Sequence, residues 1–307
     1  MLEKLTLNNM ESFKGLYSKS MKHENYDKDF FKCYNNQNFL IKFLYRKFMR
    51  IIKLNNTDIG YIWYEAPMDN YIRVWALYID SNYINLINKS TLSYFDNSTI
   101  SYEAIDNVEN SIILERLGFK KIKYTSLMEM NIEDYSNTDR IYEVYNEMVK
   151  KLHWSKNINS RTLFSTRKLV IGKDEELRCN IQNDIFGEWN RRPLTVEDIY
   201  NDMTQDYFLK DLCIFGMINN SYIGYGQIIF NREMFTIVNF GIVNDFRGIG
   251  LGKLLLHEII LYAKKSGIKN LAIRVDCTNI NAINLYKWIG FKEKYKINTT
   301  FCSRWSK

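Results

Sequence analysis

Residues Asp245-Phe246-Arg247-Gly248-Ile249-Gly250-Leu251-Gly252-Lys253-Leu254-Leu255-Leu256 decide how this 307-residue chain is read. They follow an apolar run, Phe235 to Val243, that predicts a buried strand. They precede a helical pattern running from about Gly250 to Ser266. A strand, a glycine-rich turn and a helix N-terminus together form an anion site. The first helical N–H groups have no partner within the helix, and the helix dipole places partial positive charge there. Glycines at 248, 250 and 252 let the backbone approach a phosphate closely, and Arg247 adds a fixed positive charge with several donors. Two common phosphate loops are excluded. The dinucleotide fingerprint needs glycine three residues after Gly250, where Lys253 stands. A P-loop built on Gly252-Lys253 needs glycine at 247 and Ser or Thr at 254, where Arg247 and Leu254 stand.

Downstream, past an expected strand at Leu271–Val275, comes Asn279-Ile280-Asn281-Ala282-Ile283-Asn284-Leu285-Tyr286-Lys287-Trp288-Ile289-Gly290-Phe291. Asn279 is a good helix N-cap. Ala282, Leu285, Tyr286 and Ile289 share one helical face. Gly290 suits a left-handed C-cap, with Phe291 opening the next strand. The glycine loop, as Arg-x-x-Gly-x-Gly, resembles the coenzyme A pyrophosphate loop of the GNAT superfamily of acyl-CoA-dependent N-acyltransferases. The second segment resembles that family's Asn-x-x-Ala-x-x-Leu-Tyr-x-x-x-Gly-Phe helix. On its own, Tyr286 would also fit as a core tyrosine.

Composition agrees with a globular α/β protein. The chain is 46% hydrophobic and 15% aromatic, with 2 prolines and 14 glycines, which argues against long disordered linkers. Of the net charge of +7, residues 1–164 hold +2 (22 basic against 20 acidic) and residues 165–307 hold +5 (20 against 15). The excess sits in the half with the glycine loop, which suits an anionic ligand, and is too diffuse for nucleic acid. Five cysteines, at 33, 179, 213, 277 and 302, and three histidines lack metal-ligand spacing, so neither a disulfide framework nor a metal is expected. No run approaches eighteen apolar residues, and Met1-Leu2-Glu3-Lys4-Leu5-Thr6 has no signal-peptide pattern. The expectation is a cytoplasmic protein with no membrane partner and an oligomeric state that the sequence leaves open.

The chain also repeats itself. Asn55-Asn56-Thr57-Asp58-Ile59-Gly60-Tyr61 and Asn219-Asn220-Ser221-Tyr222-Ile223-Gly224-Tyr225 are hairpin signals 164 residues apart. The same offset aligns Leu5-Thr6-Leu7 with Leu169-Val170-Ile171. Asn107, Gly118 and Phe119 match Asn279, Gly290 and Phe291 at an offset of 172. The N-terminal copy has no glycine between Gly60 and Gly118. Acidic Asp80-Ser81-Asn82-Tyr83 follows its strand Tyr71–Ile79, and Leu114 stands where Tyr286 stands.

A fold of two tandem GNAT domains is therefore expected, each a mixed, mostly antiparallel sheet that splays near its middle strands. Residues 1–135 would form a degenerate copy, 136–164 a linker with a helix at about 138–153, and 165–307 the acetyl-CoA-binding copy. The second copy should run strand 168–172, helix 174–187, helix 195–206, strands 211–218, 222–230 and 235–243, helix 250–266, strand 270–276, helix 280–289 and strand 291–302. The aromatic run Tyr61, Trp63, Tyr64, Tyr71 and Trp75 could offer the first copy's partner an apolar face.

The resemblance implies a direct transfer of an acetyl group from acetyl-CoA to a primary amine of a small molecule or peptide. Backbone groups of Gly241, Ile242 and Val243 would hold the pantetheine arm. Arg247, Gly248, Ile249, Gly250, Leu251, Gly252 and Lys253 would hold the pyrophosphate. Asn279 would bond the arm, and Tyr286 would protonate the departing thiolate. Cys277, without a partner histidine, reads as structural. The family's strand-four glutamate is missing from Phe235-Thr236-Ile237-Val238-Asn239-Phe240. That leaves Glu233, or a water chain through Thr236 or Asn239, to take the amine's proton, and the water chain is preferred. Arg191 and Arg192, near Trp189, could read an acidic acceptor or the cofactor's 3′-phosphate, and Thr195 with Asp198 fits a capping box loosely. Two other readings stay open, a non-catalytic acyl-CoA-binding protein and a protein N-terminal acetyltransferase.

Overall fold

The computed structural model describes residues 1–136, 138–156, 164–187 and 191–304. The chain forms two compact units, Met1–Ser126 with Tyr295–Lys307, and Leu127–Lys294.

The first unit begins with strand β1 (Leu2–Lys4) and helices α1 (Met10–Ser20), α2 (Phe30–Asn35) and α3 (Phe39–Lys47). Strands β2 (Met49–Leu54), β3 (Thr57–Tyr64), β4 (Tyr71–Ile79) and β5 (Thr99–Ile105) follow, then helix α4 (Val108–Leu117) and strand β6 (Lys120–Asn131). Asn55 and Asn56 both take positive φ, 46° and 65°, which is the tight hairpin turn that asparagine tolerates. Pairing is antiparallel from β1 through β4 and parallel between β4 and β5. One core packs Phe13 and Phe30 on Tyr61 and Trp63, and another joins Ile62, Tyr64, Leu92 and Leu117. Tyr61, Trp63 and Tyr64 are therefore core residues of their own unit, and they offer no outward apolar face.

The second unit repeats the plan. Helix α5 (Thr138–Lys156) precedes strand β7 (Phe164–Lys168), helices α6 (Glu175–Phe186) and α7 (Val196–Met203), and strands β8 (Phe208–Ile218), β9 (Ser221–Asn231) and β10 (Met234–Ile242). Helix α8 (Leu251–Lys265), strand β11 (Asn270–Asp276), helix α9 (Ile280–Ile289) and strand β12 (Lys292–Ser303) complete the chain. Asn219 and Asn220 again have positive φ, 45° and 70°. The pairing pattern recurs, antiparallel from β7 to β10 and parallel between β10 and β11. Leu5 N–H donates to Met49 O, and Leu169 N–H donates to Cys213 O, two bonds separated by the same 164 residues.

The units exchange their closing strands. The sheet of the first unit runs β1-β2-β3-β4-β5-β12-β6, its Tyr295–Ser303 segment paired with β5. That of the second runs from Leu127–Asn131 of β6 through β11, β10, β9 and β8 to β7. The second compact unit, Leu127–Lys294, runs across the expected boundaries near 136 and 165.

The strand expected at 168–172 lies at 164–168. After Leu169 the backbone leaves the sheet, because Asp174 accepts from Val170 N–H at 2.7 Å and Gly172 turns at φ 83°. Thr195 and Asp198 form a complete capping box at the start of α7. Asp198 reaches Thr195 N–H at 2.8 Å, so the shorter acid serves.

Candidate active site

In the second unit, β10 and β11 pair only at Thr236↔Ala272 and Ile237↔Ile273. Beyond them the two strands part. A bulge falls in β10 between Val238 and Gly241, with Asn239 at φ 52°. A bulge turns a strand away from its neighbour's line, and here it stands where the gap opens. α6 covers this stretch closely, since a Cβ on Gly241 would stand 2.2 Å from Ile185 Cγ2. The glycine at 241 is thus required by packing.

The gap opens into a cavity of about 850 Å³. Gly241, Ile242, Arg247, Gly248, Ile249, Gly250, Gly252, Lys253, Asn279 and Tyr286 all line it, so most of the residues singled out from the sequence come together in one place. Two stand apart. Val243 does not line the cavity. Its N–H donates to Ile223 O at 3.0 Å, and its C=O accepts from Phe246 N–H at 3.0 Å. Leu251 is 1% exposed, so its side chain is core and only its amide can serve the loop. Adjacent strand amides point opposite ways. With Val243 turned toward β9, the Ile242 amide faces the gap. Phe240, which lines the same wall, was not picked out from the sequence.

The glycine loop has the geometry of an anion cradle. Gly248 and Gly250 sit at φ 82° and 98°, and Gly250 is the N-cap of α8. Among the described residues, the N–H groups of Gly248, Ile249, Gly250, Leu251 and Gly252 donate to no acceptor. Five successive unpartnered amides at a helix N-terminus fit a pyrophosphate by donor chemistry alone. Arg247 serves the loop differently from the expected role. Its Nε donates to Ile242 O at 2.8 Å and a terminal nitrogen donates to Ile185 O at 2.6 Å, so it pins the loop to β10 and α6 while lending charge. Lys253 Nζ lies 4.1 Å from the centre of the Trp288 ring.

At the inner end stands Tyr286, 7% exposed, its ring against Phe240 and Phe291. Among the described residues its hydroxyl has no hydrogen-bond partner. Burial pushes its phenol up to about 12, so it stays protonated at neutral pH. Asn279 caps α9, its Oδ1 accepting from Ala282 N–H at 3.1 Å, which leaves the amide NH₂ for another partner.

Glu233 is not part of this site. It lies in the β9–β10 turn at φ 58° and lines a different depression, with Met234 and Lys269. Among the described residues the cavity is lined by a single carboxylate, Glu147 of α5. Arg192 is held by Asp198 at 2.9 Å, whereas Arg191 lines the cavity. Trp189 lies outside the described residues. Sequence reading also missed a buried polar cluster under α6 and α7. There Arg178, 1% exposed, pairs with Asp202, which accepts from Tyr207 Oη at 2.7 Å. Nothing in the helical pattern separates Arg178 from a surface arginine.

The first unit shows what became of the equivalent gap. There β4 and β5 pair at Tyr71↔Thr99, Ile72↔Ile100 and Arg73↔Ser101 and then part. The chain itself fills the opening. Lys28 N–H donates to Trp75 O at 2.9 Å. Asp27 accepts from Leu77 N–H at 3.4 Å and from Tyr102 Oη at 2.6 Å. A space of about 40 Å³ remains. In place of α8 stand two short 3-10 turns, Ser81–Leu86 and Lys89–Phe95, with no glycine cradle before them.

Among the described residues no helix is long and apolar enough to cross a membrane, and no cluster of three metal-binding side chains occurs.

Residues 178–291 match the family model described as the acetyltransferase (GNAT) family. A stretch of 75 residues is 36% identical to a [ribosomal protein bS18]-alanine N-acetyltransferase of Haemophilus influenzae, covering 24% of this chain and 51% of that protein. The chain spans between about a quarter and a half of the length of the curated relatives it matches. Among solved structures, it resembles a GCN5-related N-acetyltransferase from Sphaerobacter thermophilus, with a TM-score of 0.66 at 12% identity over 98% of this chain and 94% of that one. It also resembles a tandem GNAT protein from the clavulanic acid biosynthesis pathway, with a TM-score of 0.54 at 9% identity over 84% and 83% of the two chains. The likenesses to solved structures speak for the fold, and the family match, which spans the parted strands, the glycine cradle and the α9 helix, makes residues 178–291 similar to the acetyltransferase (GNAT) family.

Proposed function

We propose that the second unit transfers an acetyl group from acetyl-CoA to a primary amine. The observation that carries this reading is the continuity of one cavity, from five unpartnered loop amides, past the parted strands, to a buried phenol. When bound, acetyl-CoA would supply an acyl group activated as a thioester. The Gly248–Gly252 amides would hold its pyrophosphate, and the gap-facing Ile242 amide and Asn279 would orient the pantetheine arm. Tyr286 would donate its proton to the departing thiolate. A phenol at about 12 is a weaker acid than a free thiol near 8.5, but the same burial raises the thiolate's proton affinity, which brings the two closer. Burial at this end of the cavity also keeps water from competing as acceptor.

Among the described residues the one carboxylate in the cavity lining is Glu147, on the α5 wall, and in this reading the amine loses its proton to water. That favours an acceptor with a low pKa. Deprotonating a lysine side chain at pH 7 costs about 4–5 kcal/mol, and an α-amine near 8 costs about 1–1.4 kcal/mol. The likeness to an alanine N-acetyltransferase supports a peptide α-amine as one such acceptor. An amine on a small polar molecule is another. The test is thiol release from acetyl-CoA across a panel of peptide α-amines, amino sugars, polyamines and lysine side chains. Release with the α-amine or amino-sugar acceptors is the expected result. Binding of acetyl-CoA with no release above the water blank across the panel would leave a non-catalytic acyl-CoA-binding protein.

A further inference from the structure

Helix α3 of the first unit is built inside out. A surface helix of a soluble domain normally buries its apolar stripe and turns its charges to water. At about 100° per residue, Ile41, Lys42, Tyr45 and Arg46 share one side of α3, while Phe39, Leu40, Phe43, Leu44 and Lys47 spread over about 140° of the other. The first side packs on the unit. Arg46 is 8% exposed and donates to Tyr34 Oη, and the Tyr45 ring meets Phe30 and Trp63. The second side stands in water, with Phe39 and Leu40 73% and 72% exposed and Phe43 and Leu44 47% and 48%. Asn38 caps the helix, its Oδ1 accepting from Ile41 N–H at 3.0 Å, and the inward Tyr45 and Arg46 fix its rotation.

The charge around this face has one sign. From Phe30 to Thr57 the sequence holds six basic residues and no acidic one. Of these, Arg46 and Arg50 are buried, and Lys53 is neutralised by Glu3 and Asp58. Lys42 and Lys47 lie on α3 itself, and Lys4 of β1 places its Nζ 5.2 Å from the centre of the Phe43 ring. Lys42 and Lys47 also lie against rings, those of Tyr34 and Phe48, contacts that leave their charge intact. A second copy of the chain fits this face poorly. A two-fold axis would set the same lysines against one another, and the outward side of so short a helix covers roughly 150 Å², far below the 800 Å² or so per partner of a stable interface. An anionic bilayer surface fits it well, taking phenylalanine and leucine at the acyl boundary and lysine at the phosphates.

We propose that the outward face of α3 docks the protein peripherally on an anionic lipid surface. Phe39, Leu40, Phe43 and Leu44 enter the acyl boundary, and Lys4, Lys42 and Lys47 meet lipid phosphates. This is independent of the acetyl-CoA reading. The expectation from sequence of no membrane partner rests on the lack of a spanning run, which a surface contact does not need. The test sediments the full chain with vesicles of phosphatidylcholine alone, and of phosphatidylcholine and phosphatidylglycerol in equal parts. Wild type should bind the mixed vesicles about tenfold or more tightly than the neutral ones, and less as salt rises. Phe39→Ser with Phe43→Ser should weaken that binding about tenfold or more. Its thermal melt should match wild type, because both side chains are exposed. Lys47→Glu should weaken binding to the mixed vesicles alone, and it decides the matter if the double variant melts lower. Failure of wild type to bind the mixed vesicles, or undiminished binding by the variants, overturns the proposal. So does a lipid-free dimer that the double variant abolishes while vesicles bind neither protein, a result that assigns the face to a second copy.

Discussion

Tyr286 carries the sharpest prediction. Tyr286→Phe should keep acetyl-CoA affinity and lower turnover by a factor on the order of 10²–10⁴, read as kcat at saturating acceptor. An unchanged rate would make the residue a packing tyrosine. The phenol's upward shift fixes the sign of the pH dependence. A donor must be protonated to act, and burial moves its ionisation up to about 12. From pH 6 to 10 the rate should therefore rise as the amine deprotonates and then level, with no falling limb. A fall centred near pH 9–10 would point to a different donor. Tyr286 was legible in sequence because helix spacing, cap glycine and the upstream loop all constrained it. Arg247 was legible as a cation, but its use as a backbone clamp was not, since that depends on where Ile185 and Ile242 carbonyls point in three dimensions. Val243 stands apart from the cavity for a similar reason. A strand's sequence does not say which amides face its neighbour, and the bulge before Gly241 resets that alternation.

At the scale of elements, the loop between β10 and α8 depends on two glycines at positive φ that differ in what surrounds them. A side chain on Gly250 would press on Val144 of α5, so a loss of binding there would mix with a shifted helix. Gly248 has open space within 4 Å of an added Cβ. Gly248→Ala is therefore the cleaner probe. It should cost about 1 kcal/mol of stability through its left-handed backbone, and weaken acetyl-CoA binding about tenfold or more by crowding the cradle. Calorimetric titration beside a thermal melt separates the two effects, and unaltered affinity would remove the loop from the cofactor site. Helices and hairpins were readable because each carries its own local signals, such as the paired asparagines of both turns and the caps Asn107 and Asn279. The first strand of the second copy was shifted because Leu169-Val170-Ile171 is apolar, yet Asp174 claims the Val170 amide. Helix α5 was legible as an amphipathic helix, though nothing in its periodicity tells that the face bearing Lys151 lines a cavity.

For the molecule as a whole, the internal repeat was visible from two hairpins and two capped helices, but the exchange of closing strands was not. Strand residues carry no label naming the edge they will join. The exchange makes a strong prediction about fragments. Residues 165–307 alone lack Leu127–Asn131 and α5, which supply Met128, Met130, Ile141, Met148 and Leu152 to the core of the second unit. They also retain Tyr295–Ser303 with its β5 partner removed. That fragment should be insoluble or unfold many degrees below the full chain, whereas residues 1–156 and 164–307 made together should recover a soluble complex. A fragment 165–307 that melts like the full chain would contradict the strand assignment.

The position of Tyr295–Ser303 also sets a clock. β5 is complete when residue 105 has been made, but its partner strand begins 190 residues later. At about 5–20 residues per second of synthesis, the edge of β5 waits roughly 10–40 s before the strand that covers it exists. During that interval the nascent first unit carries an open sheet edge, the kind of surface that pairs with other chains. The protein's period of greatest exposure to aggregation thus falls during translation and ends when Tyr295–Ser303 has been made.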